Sequence, residues 1–224
     1  MLRQIGKILI GIALLPFCIG FLWELGSTVF TVVYKPLIPY WFTGGALLYL
    51  VVHFLFRKPI LSYVVGHELT HALFAVLFGG KVLAFQASEK GGHVQLTKSN
   101  VLITLAPYFF PLYTALALIA YAAAHVSGFP SLEPWLVLAA GASFAFHLVL
   151  TALFLRTDQK DIQEHGAFFS YPLIFLFNVL LTALLIRVLL ARDMEFLSYL
   201  TGGIMRSLSI SFRGFHMVYE FLAR

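Results

Sequence analysis

The sequence predicts an all-α polytopic membrane protein with about six transmembrane helices and a small β-hairpin inserted after the third. Composition is the first observation: 60% of the 224 residues are hydrophobic and 11% are charged, which does not describe a soluble globular protein. The second is the length of the apolar runs, because crossing a hydrocarbon core of about 30 Å takes about 20 helical residues. We therefore expect a single membrane-embedded domain over residues 1–224.

Six apolar runs are long enough to span a membrane, and a seventh is weaker. The first run continues well past the short apolar core of a signal peptide, so we expect it to stay as a membrane anchor. The weaker run contains Arg206 and Arg213 and could lie along the membrane interface instead. The six runs cover about residues 8–33, 40–56, 60–78, 100–124, 134–155 and 167–191, and the weaker one about residues 199–222.

Two segments between or within these runs depart from a simple helical pattern. In residues 81–98, KVLAFQASEKGGHVQLTK, apolar and polar residues loosely alternate around a Gly-containing centre, which predicts a β-hairpin; an interfacial loop is the alternative. An edge strand there could pair with an extended peptide. In residues 104–113, Pro107 and Pro111 remove backbone donors and either open a helix beside a cavity or kink it for packing.

Charge and cysteine content limit the chemistry. The net charge of +5 comes from dispersed Lys and Arg residues such as Lys81, Arg156 and Lys160, which favours anionic lipid headgroups over nucleic acid as a partner. Cys18 is the only cysteine, so no thiolate cluster can hold a metal. Any metal must be bound by histidine and carboxylate.

His67, Glu68 and His71 form an H-E-x-x-H motif inside the third apolar run. On a helix the two histidines lie one turn apart on one face, so both imidazoles can bind one zinc ion with the glutamate beside the open position. Zinc lowers the pKa of its bound water to about 7, and a neighbouring carboxylate can accept the proton. Placing ionisable groups within a spanning helix costs free energy, so three of them together indicate a shared role. The alternative to a metal site is a polar network that joins neighbouring helices.

A third zinc ligand has to come from elsewhere, and Asp158 and Asp161 are the candidates. For either one the alternative is an exposed loop charge or a helix cap. Three full crossings between residues 60 and 156 would put both aspartates at the membrane face opposite the start of the motif helix. They can approach the histidines if their junction dips inward, or if the fourth or fifth run does not fully cross.

The motif helix GHELTHALFAVLFGGKV, the hairpin after it, the proline-containing helix start and the aspartate-bearing junction resemble the site-2 protease family of intramembrane zinc metallopeptidases over about residues 60–165. The resemblance implies that His67 and His71 bind zinc and that Glu68 is the general base. The family's third ligand is an Asp in an L-D-G signature, where this chain has TDQKDI. We favour Asp161 over Asp158 because it lies closer to the next helix.

The expected function is therefore that of a zinc-dependent metalloendopeptidase that hydrolyses peptide bonds in or near transmembrane segments of membrane proteins. The alternative is a catalytically inactive, protease-like membrane scaffold or client-binding protein. A zinc or proton transporter is a weaker reading, because it has no obvious use for a base beside the histidine pair. The expected partners are a membrane protein or transmembrane peptide substrate and the lipid bilayer, without nucleic acid, and compactness alone favours a prokaryotic cell (inner) membrane.

Overall fold

The computed structural model describes residues 2–31, 34, 37–56, 58–191 and 193–223, without the side chains of residues 2 and 3. The last two residues of the first predicted span, 32 and 33, lie outside this part. The helices are α1 (Leu2–Val29), α2 (Ile38–Leu55), α3 (Ile60–Leu77), α4 (Val101–Leu105), α5 (Leu112–Val126), α6 (Glu133–Phe154), α7 (Lys160–His165), α8 (Ala167–Leu185) and α9 (Phe196–Leu222), and the strands are β1 (Val82–Ser88) and β2 (Gly91–Leu96).

The described helices agree with a multi-pass membrane protein. Five of them are long and apolar enough to cross a membrane, and α9 is not among these. The segments Val101–Tyr108 and Leu112–Val126 pass the same test only together, and they are bent by 80° against one another. Counting this bent pair as one span gives six, so the predicted all-α polytopic class is confirmed coarsely.

Backbone contacts divide the chain into two compact units, one of residues 36–161 and one of residues 1–35 with 162–224. In the second unit α1 packs against α8 and α9. Small residues allow the close approach of α1 to α9, because a Cβ atom on Gly20 would lie 2.9 Å from the Cα atom of Ser207. An ion pair between Glu24 and Arg206 joins the same two helices. The single domain over residues 1–224 stays a prediction.

In the unit of residues 36–161, the hairpin directly follows the motif helix α3. Gly79 ends α3 with a φ of 72°, a left-handed conformation that glycine adopts without strain, and the Gly80 amide donates to the Ala75 carbonyl at 2.7 Å. The chain then enters β1, which pairs antiparallel with β2. The predicted hairpin is confirmed.

The segment after the hairpin does not form one straight helix. Asn100 caps α4 by accepting from the Ile103 amide at 2.9 Å, and a 3₁₀ turn, Ala106–Tyr108, precedes the bend. At the start of α5, Tyr113 donates to the Ser62 carbonyl in the first turn of α3 at 2.7 Å. The two prolines of this segment thus lie at a break between two helices, where a missing amide donor costs least.

Helix α6 brings the chain back to the beginning of α3. His125 near the end of α5 pairs with Glu133 at the start of α6 at 3.0 Å, so the two helices run antiparallel. At the other end of α6, the ring of Phe154 stacks on Tyr63 with 4.3 Å between centroids. The residues that follow α6, including Asp161, therefore start next to the N-terminal turns of α3. The bent fourth segment removes the topological difficulty that three straight crossings would create.

Candidate metal centre

The two motif histidines face each other on α3. His67 and His71 are four residues apart, which places them one turn apart on the same helix face, and their Nε2 atoms are 3.2 Å from one another. Both side chains are largely buried, with exposed fractions of 12% and 10%. The imidazoles therefore converge as the motif spacing predicts.

Asp161 completes the cluster, although it lies 94 residues further along the chain than His67. Its Oδ2 atom is 3.3 Å from His67 Nε2 and 3.5 Å from His71 Nε2. Within the described part of the chain, these three residues are the group of histidine, cysteine or carboxylate side chains whose donor atoms are close enough to share a metal ion. Asp158 is exposed in the connection before α7 and is not part of this group.

The three donor atoms form a triangle with sides of 3.2, 3.3 and 3.5 Å. A tetrahedral zinc ion with bonds of about 2.0–2.1 Å holds neighbouring ligand atoms about 3.4 Å apart, so one ion can bind all three atoms. Three protein ligands leave one coordination position open, as catalytic zinc sites do and structural ones do not. The geometry and the donor types therefore fit a divalent metal such as zinc.

The hydrogen bonding of His71 also favours this interpretation. Its Nδ1 atom is 2.8 Å from the carbonyl oxygen of Ile103 on α4, and a carbonyl can only accept, so the proton of a neutral imidazole is on Nδ1 and Nε2 carries a lone pair. That lone pair faces His67 and Asp161. A metal ion would satisfy the lone pairs of all three converging atoms at once.

Asp161 receives a second stabilising contact from Tyr108, at the end of the 3₁₀ turn. The Tyr108 hydroxyl donates to Asp161 Oδ2 at 2.9 Å. Burial alone would raise the pKa of the Asp161 carboxyl, but when His67 and His71 are protonated, their hydrogen bonds and charges hold this pKa well below its usual range. Asp161 is therefore an anion, the form that binds metal.

Glu68, the candidate base, is buried against the hairpin. Glu68 is only 7% exposed. A Cβ atom on Gly92 of β2 would lie 2.6 Å from Glu68 Cγ and 2.7 Å from Glu68 Oε1. Only a glycine at this place lets the strand approach so closely. The hairpin thus covers the glutamate beside the histidine pair.

Sequence reasoning missed the side chains and carbonyls that hold the candidate ligands in place. Tyr108 comes from the proline-containing segment, and Ile103 directly precedes that segment. The sequence there shows an irregular helix but not which of its groups reach the site. The Oε1 atom of Gln159 lies 3.2 Å from the same Tyr108 hydroxyl. A polar residue next to two candidate aspartates was the only available signal for it.

Comparisons with protein-family models, with curated proteins and with solved structures found no match. The resemblance to the site-2 protease family therefore stays a prediction that rests on the motif and on the order of the elements around it.

Proposed function

We propose that this protein is a zinc-dependent intramembrane endopeptidase that hydrolyses peptide bonds in or near the transmembrane segments of membrane proteins. The observation that carries the proposal is the convergence of His67, His71 and Asp161 on one potential metal position, with Glu68 buried on the same helix. A two-histidine, one-carboxylate set without a thiolate, with an open position and an adjacent glutamate, is the arrangement of hydrolytic zinc sites.

In this proposal His67, His71 and Asp161 hold the ion and Glu68 moves the proton. Bound zinc supplies a Lewis acid that polarises the scissile carbonyl and makes a water molecule more acidic. Glu68 accepts the proton of the attacking water and later donates it to the leaving amine. Its close contact with Gly92 of β2 limits the space in which the carboxyl can move.

The proposed substrate is a peptide in extended form, because the amide groups of an intact helix are covered by their own turns. The β1–β2 sheet has only two strands, so each strand has an edge that this sheet does not pair. An edge strand binds an extended peptide by backbone hydrogen bonds and accepts many sequences. Since Gly92 of β2 contacts Glu68, we propose that the peptide adds to the free edge of β2, on the side of the sheet nearer the candidate base.

The test compares cells that express the wild-type protein with cells that express Glu68→Gln, by sequencing the new N-termini in the membrane fraction. We expect cleavage products that end in or near transmembrane segments only with the wild type, while Glu68→Gln retains its zinc. Glu89→Gln, which makes the same change at an exposed position in the hairpin turn, is the matched control and should cleave normally. Identical products with Glu68→Gln and wild type would exclude proteolysis and favour the client-binding alternative.

A further inference from the structure

Tyr108 is a completely buried residue whose hydroxyl lies at the candidate metal centre. Its exposed fraction is 0%, and its hydroxyl donates to the Oδ2 atom of Asp161 at 2.9 Å. This is the same carboxylate oxygen that lies closest to both histidines. The one phenolic proton is thus directed at the atom that would bind the metal.

The hydroxyl also links Asp161 to the connection that precedes α7. Gln159 Oε1 lies 3.2 Å from the Tyr108 hydroxyl, and the Gln159 amide nitrogen donates to Thr157 Oγ1 at 2.7 Å. This connection has no regular structure at residues 158 and 159. Tyr108 therefore ties Asp161, which follows this short irregular segment, to the 3₁₀ turn at the bend of the fourth segment.

The ring of Tyr108 contacts His67, another of the three candidate ligands. It meets the His67 imidazole nearly edge-on, with 5.1 Å between ring centroids and an interplanar angle of 85°. For the Nδ1 atom of His67, the described residues provide no hydrogen-bond partner. On its Nδ1 side this imidazole is therefore supported by ring contacts, whereas the Nδ1 atom of His71 has a hydrogen bond to the Ile103 carbonyl.

We propose that Tyr108 is the positioning residue of the metal centre, fixing Asp161 through its hydroxyl and His67 through its ring. This inference rests on the proposed metal site and assigns a role to a residue outside the H-E-x-x-H motif. The Asp161 side chain is 24% exposed, so without the phenol its carboxylate can rotate towards solvent. Partners that orient metal ligands typically change metal affinity by about 10- to 100-fold when removed.

The test is the zinc affinity of the purified full-length chain in detergent, measured by competition with a chromophoric chelator. Tyr108→Phe removes the hydroxyl and keeps the ring on His67, and we expect the zinc dissociation constant to rise about 10- to 100-fold. We also expect a changed absorption spectrum when cobalt replaces zinc, because the Asp161 carboxylate no longer has a fixed direction. The melting temperature of the metal-free Tyr108→Phe protein should stay close to that of the metal-free wild type.

Tyr113→Phe is the matched control, since it removes a tyrosine hydroxyl that donates to Ser62 instead of the site; its zinc affinity should equal that of the wild type. If Tyr108→Phe does not fold, Gln159→Ala is the second variant, because it removes the side chain next to the Tyr108 hydroxyl. We expect Gln159→Ala to weaken zinc binding by less than about 10-fold. A zinc affinity of Tyr108→Phe within twofold of wild type, or equal losses in Tyr108→Phe and Tyr113→Phe, would overturn the positioning role alone. A wild-type protein that binds no zinc would overturn both this role and the proposed function.

Discussion

The two motif histidines are held in different ways. His71 is oriented by a hydrogen bond from its Nδ1 atom to the Ile103 carbonyl, which also fixes its tautomer. His67 lies between aromatic rings, with centroid distances of 6.0 Å to Tyr63 and 5.1 Å to Tyr108. The spacing H-E-x-x-H predicts that both rings converge but contains no information about these supports, because the supports come from residues that are distant in sequence.

Substitution of each aspartate in the TDQKDI segment tests which of them is the proposed third ligand. Asp161→Asn replaces an anionic ligand with a neutral amide, so we expect zinc affinity to fall by at least about 100-fold, a loss larger than that from an outer partner. Asp158→Asn is the matched control and should bind zinc like the wild type, because Asp158 is exposed and outside the cluster. Zinc titration of both variants against a chelator measures the difference. A loss in Asp158→Asn with normal binding by Asp161→Asn would reverse the assignment.

Two irregular elements, the bent segment Val101–Tyr108 and the β-hairpin, contact the candidate site around the motif helix α3. The bent segment Val101–Tyr108 provides the carbonyl of Ile103 and the hydroxyl of Tyr108, and the hairpin provides the close contact of Gly92 with Glu68. Sequence patterns predicted both elements, from prolines in one case and alternation in the other. Their contacts with α3 could not be predicted, because they depend on the direction of the 80° bend and on how the hairpin folds back.

The hairpin contact predicts that Gly92→Ala impairs proteolysis without removing the metal. An added methyl group would collide with Glu68 and with Val64 Cγ1, at 2.6 and 2.7 Å, so either the carboxyl or the strand must move. A displacement of about 1 Å can cost about 100-fold in rate, and we expect a loss of about 10- to 100-fold.

Cleavage of a membrane substrate identified with the wild type, together with zinc content, measures this effect. Gly44→Ala on α2 is the control, because a Cβ atom there meets nothing within 4 Å. Normal cleavage by Gly92→Ala would show that the contact between β2 and Glu68 has no role in catalysis.

At the scale of the whole chain, composition and run length predicted the helices well because both are local properties. The apolar runs at residues 40–56 and 60–78 correspond to α2 and α3 within two residues at each end. Only half of the candidate metal site could be predicted from sequence: the His67–His71 spacing is local, whereas the choice of Asp161 depends on the path of α4, α5 and α6. A straight fourth helix would have separated Asp161 from the motif.

Metal binding should stabilise the folded chain, because the site exists only when residues 67, 71 and 161 are together. For a ligand at 100 times its dissociation constant the gain is about 2.7 kcal/mol, which raises the melting temperature by several degrees. We expect this rise for zinc in the wild type and none in His71→Ala. The rise should shrink at acidic pH, because protonated histidine does not bind metal. Equal zinc-induced shifts in wild type and His71→Ala would place the metal elsewhere.

Zinc K-edge X-ray absorption of the purified full-length protein tests the metal centre most directly. The geometry of His67, His71 and Asp161 predicts about one zinc ion per chain, with two imidazole nitrogens and carboxylate or water oxygens at about 2.0–2.1 Å. The imidazole signal should disappear in a variant that carries both His67→Ala and His71→Ala. A wild-type protein without stoichiometric zinc, or a zinc ion whose ligands include no imidazole, would contradict the metal centre and the hydrolytic function built on it.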